Sequence, residues 1–197
     1  MSDLLILGAG GHAKVVAETA LASGYASRVT FLDDRTHTPL VQALEPHIRE
    51  QFPAAVVAIG HTATRLHWLE QLSALGYALP VLIHPTAWVS PSASLGPGSL
   101  VFAQAALQAQ ASIGMGVILN TGCSVDHDVC LADGVHVCPG ARLAGEVTVG
   151  ARSWIGIGAC VIQQVRIGAD VTIGAGAAVV HDLPDGITAV GIPARAR

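Results

Sequence analysis

Residues 113–137 read IGMGVILNTGCSVDHDVCLADGVHV, and every sixth of them, Ile113, Leu119, Val125, Leu131 and Val137, is aliphatic. The same step runs outward in both directions. It goes back through Leu107, Val101 and Leu95 to Val89, and on through Leu143, Val149, Ile155, Val161, Ile167 and Ile173 to Val179, sixteen stops without a slip. Two residues before the stops the side chain is small or β-branched, as at Ala105, Ala111, Val117, Cys123, Ala141 and Ser153, and Gly often follows, as at Gly96, Gly114, Gly150, Gly156, Gly168 and Gly174. A period of six fits neither a helix at 3.6 nor a flat strand at 2, but it fits a coil folded into three short sides. The repeat therefore predicts a left-handed parallel β-helix with three hexapeptides per turn and a little over five turns. Chance alternation in an aliphatic-rich chain does not survive sixteen consecutive hits.

The chain has 197 residues, 51% hydrophobic but only 4% aromatic, so its core is aliphatic, which suits a narrow solenoid. A net charge of −4, with Lys14 the single lysine, argues against nucleic acid as a partner. No apolar run reaches membrane-spanning length, and LLILGAG leads straight into a glycine turn rather than a signal peptide's cleavage site. These features predict a cytoplasmic protein with no membrane partner. Cys123, Cys130, Cys138 and Cys160 form no C-x-x-C pair, and all four are expected to be buried small hydrophobes rather than disulfides.

Ahead of the repeat, an aliphatic run Leu4 to Ala9 ends in Gly8-Ala9-Gly10-Gly11-His12-Ala13, followed by a helical pattern from Lys14 to about Ser23 closed by Gly24. Further strands are expected at Val29–Leu32, Ala54–Ile59 and Leu79–Ile83, with helices around 41–50 and 63–75, the latter stopped by Gly76. This is an α/β, Rossmann-like module of small parallel sheet and helices over residues 1–85, too short for a full dinucleotide fold. The β-helix takes 86–181, and a C-terminal cap or tail takes 182–197. Ligands of parallel sheets sit at the carboxyl ends of the strands, which here carry Gly8, Gly10, Gly11, His12, Asp33, Asp34, Gly60 and His61, expected to converge on one crevice. The turn formally meets the dinucleotide fingerprint, its N–H groups placed for a pyrophosphate and Asp33 or Asp34 for a ribose or base. A nucleotide-sugar fits it as well as NAD does, and tight βα packing without a ligand is a further reading.

Within the coil, Asp126-His127-Asp128 brackets an imidazole at a corner with two carboxylates. A His beside Asp is built for general-base work, although the segment alone fits a solvated turn equally well. His136 lies nine residues on, half of an eighteen-residue circuit, which puts the two imidazoles at different corners of one chain. They meet only if a neighbouring subunit supplies one.

The opening ILGAGGHAKVV, then FLDD, VAIGH, LIHPTAWVSPSA, ILNTGCSVDHDVCLADGVHVCPGARLAGEVTVG and the closing GIPA resemble, in order and spacing, the bacterial hexapeptide-repeat acetyltransferases of the PglD/NeuD type. The resemblance implies acetyl-CoA-dependent N-acetylation of a nucleotide-linked 4-amino-dideoxy sugar in a glycan pathway, by a homotrimer without a metal. It makes His127 the general base and Asp128, where the family usually carries Glu, its orienting acid. It gives His136 and the Gly145 N–H the acetyl carbonyl, and assigns the sugar-nucleotide to Gly8 to His12, Asp33 and Asp34. Acetyl-CoA would lie in a groove between two solenoids, against Gly145, Ile157, Gly174, Ile192 and Pro193, with its phosphates near some of Arg142, Arg152, Arg166, Arg195 and Arg197. O-acetylation of sialic acid or another sugar is the family's other activity. Two readings outside it are a zinc carbonic anhydrase recruiting His127, His136 and His181, and a non-enzymatic scaffold, which predicts a featureless repeat.

Overall fold

The computed structural model describes residues 2–36 and 38–197. A three-stranded parallel sheet opens the chain: β1 (Ser2–Leu7) lies between β2 (Ala26–Leu32) and β3 (Ala55–Val57). Period-two alternation along β1 sends Leu4 and Ile6 to one face and Leu5 and Leu7 to the other, all fully buried. Helix α1 (Gly11–Ala22) covers the first face with Ala13, Val16, Ala17 and Ala20. Helix α3 (Thr62–Ala74) covers the second with Leu66, Leu69 and Leu72. Gly24 and Gly76, at φ +72° and +77°, end these two helices as expected.

The helix expected around 41–50 is instead two pieces, a 3₁₀ turn (Leu40–Leu44) and α2 (Pro46–Gln51). Pro46 drives Glu45 out of the helical region, to φ −82° and ψ 132°. The fourth strand is also corrected. Leu82–Ile83 pairs with Leu100–Val101 and is the first rung of the solenoid rather than a member of the front sheet.

From there the chain winds as a parallel β-solenoid in which two-residue strands pair with those one circuit later, Ile118 with His136, Ser124 with Arg142 and Cys130 with Thr148. The first side runs through Leu82, Leu100, Ile118, His136, Trp154, Thr172 and Thr188. The second runs through Trp88, Ala106, Ser124, Arg142, Cys160 and Ala178, and the third through Ser94, Ser112, Cys130, Thr148 and Arg166. With rungs at Leu82 and Thr188 the coil makes about six turns, more than the repeat alone predicts. Both recurrent positions point inward: Leu119, Val125, Leu131 and Val137 stack with Val117, Cys123, Val129 and Val135 in one continuous core. Cys123 and Cys138 are buried, but Cys130 and Cys160 are exposed, because a residue just before an aliphatic stop faces outward. All four are free thiols.

Each corner needs one residue in the left-handed region. It recurs at every sixth position from Gly98 to Gly176, half of the time as Gly and otherwise as Gln, Glu, Asp or Arg. Where α3 docks, the third–first corner carries glycine at this position: a Cβ at Gly98 or Gly116 would strike Leu69, and one at Gly134 would strike Leu66. The next two positions of that column, beyond the helix, are Arg152 and Asp170, paired with each other in the open. The front module rests on the first side, where Leu82, Leu100, Phe102 and Ile118 join the α1 core. At the far end Ala189 and Ala194 close the interior, with Arg195–Ala196 antiparallel to Ala189–Val190.

Candidate active site

The second–third corner carries His127. Its Nδ1 lies 2.8 Å from an Asp128 carboxylate oxygen, and Asp126 accepts from the His127 backbone N–H at 2.8 Å. Asp128 occupies the left-handed corner position at φ 58°, a conformation Asp tolerates, which aims its short side chain back at the ring. That hydrogen bond, and then the surrounding carboxylates, raise the His127 pKa above its ordinary 6.5. One circuit on, Gly145 sits under the imidazole. The flanking Ala144 and Glu146 N–H groups bond to Val161 and His127 carbonyls, while the Gly145 N–H has no ladder partner among the described residues.

His136 is not at a corner. A triangular coil has three sides, so half a circuit from a corner lands in the middle of the opposite side, and His136 forms a strand there. It is 4% exposed, against Trp154 at 4.2 Å between ring centroids and His12 at 6.3 Å. The Asn120 amide lies 3.1 Å from Nε2, whereas Nδ1 faces the Gly60 backbone without closing a hydrogen bond. Burial, then the charge of Arg65, lowers the His136 pKa to about 3, and the same two causes lower that of His12 to about 4. His12 packs edge-on against Phe102, its Nε2 buried and unpartnered.

The glycine turn is organised by Asp33. Its carboxylate accepts from the Ala9 N–H at 2.6 Å, from the Arg35 N–H, and bidentately from the Arg35 guanidinium, which holds its pKa well below the usual range. Gly8 is required there: at φ +108°, a Cβ would lie 2.9 Å from the Ala58 carbonyl oxygen. No side chain caps α1 at Gly10, so the N–H groups of its first turn are open to an anion. A cleft of about 240 Å³ borders the N-cap of this helix, lined by Ala9, Gly10, Asp33, Arg35 and Thr36. Asp34 accepts from the Leu40 N–H, and His61 caps α3 by accepting from the Thr64 N–H at 3.3 Å. So Gly8 to His12, Gly60 and His136 come together, while Asp34 and His61 are occupied in holding loops.

The remaining candidates divide between corners. Ile157 and Gly174 lie at the first–second corner, followed a circuit later by Ile192 and Pro193, with Ile157 and Ile192 strongly exposed. Gly145 and His127 lie at the other end of the second side. Arg142 stands on the side between them and Arg166 on the third side. His181 shares the His127 column three circuits away, roughly 14 Å at the usual strand spacing, too far for a shared zinc ion.

Sequence reasoning missed Arg65, Asn120 and Trp154. The last two were within reach of a simple device, since writing the chain in rows of eighteen puts Trp154 directly below His136 and Asn120 one row above it, two columns along.

A solenoid of hexapeptide repeats with a histidine–carboxylate corner, joined to a glycine-turn α/β module, defines a hexapeptide-repeat transferase. The PglD N-terminal domain model matches residues 3–72. The acetyltransferase domain of PglB from Neisseria gonorrhoeae superposes with a TM-score of 0.95 at 46% identity over 100% of both chains. PerB from Caulobacter crescentus, solved with CoA and GDP-perosamine, gives 0.95 at 40% identity over 100% of this chain and 98% of that one. UDP-N-acetylbacillosamine N-acetyltransferase of Bacillus subtilis strain 168 is 38% identical over 115 residues, 52% of each chain, so the match spans about half the length of that curated relative. The chain belongs to the PglD-type sugar acetyltransferase family.

Proposed function

We propose that the protein transfers the acetyl group of acetyl-CoA to the amine of a nucleotide-linked 4-amino-dideoxy sugar, by direct attack. The observation that carries this reading is the His127–Asp128 pair lying across Gly145. The amine lone pair forms the C–N bond to the thioester carbonyl, His127 takes the ammonium proton, and the C–S bond breaks to release CoA, which leaves with that proton. The Gly145 N–H holds the oxyanion; one such donor is typically worth about 3 kcal/mol. With Asn120 donating to Nε2, the proton of the neutral His136 ring sits on Nδ1, the nitrogen without a partner. Burial pushes the Cys123 and Cys138 thiols up to about 12, so neither of these two is poised to carry the acetyl group. The N. gonorrhoeae domain solved with acetyl coenzyme A, 47% identical over 99% of this chain, supports the donor. The GDP-perosamine complex supports the acceptor class.

We further read the active form as a cytoplasmic homotrimer. His127 and Gly145 stand at one end of the second side, Ile157, Gly174 and Ile192 at the other. A heterologous contact that closes on itself after three copies brings one chain's His127 corner to the next chain's Ile157 corner. Acetyl-CoA then runs between them, within reach of Arg142. The free thiols suit a reducing compartment.

The test is CoA release from acetyl-CoA in the presence of UDP- and GDP-linked 4-amino sugars. A hydroxylamine-stable amide product is expected, with His127→Ala slower by about two to four orders of magnitude. Undiminished turnover in His127→Ala, or a hydroxylamine-labile ester, overturns the reading.

A further inference from the structure

Arg65 is 0% exposed, and among the described residues no carboxylate pairs with it. Its guanidinium spends its donors on four backbone carbonyls. Nη1 donates to Ile59 at 3.0 Å and Gly60 at 2.8 Å, Nε to Gly116 at 2.8 Å, and Nη2 to Gly134 at 2.7 Å. The first two carbonyls belong to the loop between β3 and α3; the others belong to successive circuits of the solenoid. Packing alone already docks α3 on this corner, through Leu66 and Leu69 against Gly98, Gly116 and Gly134. A buried, unneutralised cation is costly, so docking does not explain it. What lies beside the clasp does: Gly60 faces His136, and His136 faces His12.

We propose that Arg65 is a positioning residue for the sugar-nucleotide crevice: by tying the Ile59 and Gly60 carbonyls to those of Gly116 and Gly134, it sets the gap in which His12 of the front module faces His136 of the solenoid. The proposal rests on the acetyltransferase reading above for its catalytic consequence. The fork is required, because four acceptors from three chain segments are reached by separate N–H groups in one plane, which a Lys ammonium cannot reproduce. The charge acts as well. The ionisable groups facing His136 are His12 and Arg65, and those facing His12 are His136 and Arg65, with no acid among them. Arg65 thus adds to burial in keeping both rings neutral, the state in which each can donate one hydrogen bond and accept another.

Arg65→Lys and Arg65→Gln test this, each first checked by circular dichroism and melting. KM is measured separately for the nucleotide amino sugar and for acetyl-CoA, and the ring protons of His12 and His136 are titrated by NMR without substrate. In Arg65→Lys the sugar-nucleotide KM rises roughly tenfold or more, the order expected when a crevice loses its set geometry. The acetyl-CoA KM stays in place, and both imidazoles still titrate far below 6.5. Arg65→Gln shows the same KM split, and both imidazole midpoints rise. An unchanged sugar-nucleotide KM, or equal rises for both substrates, overturns the proposal, as do imidazole midpoints that stay put in Arg65→Gln. If Arg65→Gln does not fold, Arg65→Lys decides alone through the KM split. If the wild-type protein turns over no sugar nucleotide, it is the acetyltransferase reading that fails; the imidazole titration in Arg65→Gln still decides the clasp.

Discussion

The imidazole of His127 lies over the α-carbon of Gly145 so closely that a methyl group there would stand 2.5 Å from both Cε1 and Nε2. Gly145 is not at a left-handed position, so alanine fits its backbone, and the three atoms nearest the added methyl all belong to the ring. Gly145→Ala is expected to leave the melting temperature nearly unchanged while displacing the base, for a loss of about a hundredfold in kcat. Steady-state kinetics beside a thermal melt checks it.

The Asp128 contact gives a pH signature. A base must be neutral to take a proton, so kcat falls as pH drops through the His127 pKa, which lies above 6.5. Asp128→Asn keeps a residue tolerant of φ 58° but removes the carboxylate. The acid limb of the kcat profile then moves to lower pH and the plateau drops, because the imidazolium loses its partner. Asp128→Glu restores both.

The two buried imidazoles make the fold sensitive to acid. Both folded pKa values are lowered, to about 4 at His12 and about 3 at His136. Below about 6.5 the unfolded chain takes up protons that the folded chain refuses. Stability is therefore full above that pH and falls as pH drops from about 6.5 through about 4 to about 3. The melting temperature should follow this course, with a shallower slope in His136→Asn.

If the site spans two copies, defects can complement. His127→Ala and His136→Ala homo-oligomers are each expected to be nearly inactive. Subunits mixed, unfolded and refolded together should recover a fraction of wild-type activity, since some interfaces then unite an intact His127 with an intact His136. Recovery that never exceeds the sum of the separate variants would place both residues in one chain.

The solenoid was legible because its period is geometric: each aliphatic stop, from Val89 to Val179, reports its own side of the coil without reference to distant residues. His127 and Asp128 were legible because they are adjacent. Leu82–Ile83 was misassigned because a two-residue rung and a sheet strand read alike until the partner, Leu100–Val101, is known. Arg65 was invisible for the same kind of reason. In TATRLHWL it reads as an ordinary helical arginine, and only the docking of α3 on the glycine corner buries it.

The unbroken left-handed corner series makes the coil a ruler. Any grip on a long coenzyme that recurs in the His127 column stands a whole number of circuits away, in steps of about 4.8 Å. Removing eighteen residues beyond Val149 would shorten the reach of the site by one graduation and leave its chemistry alone. Removing a single residue would turn the interior of every later circuit outward.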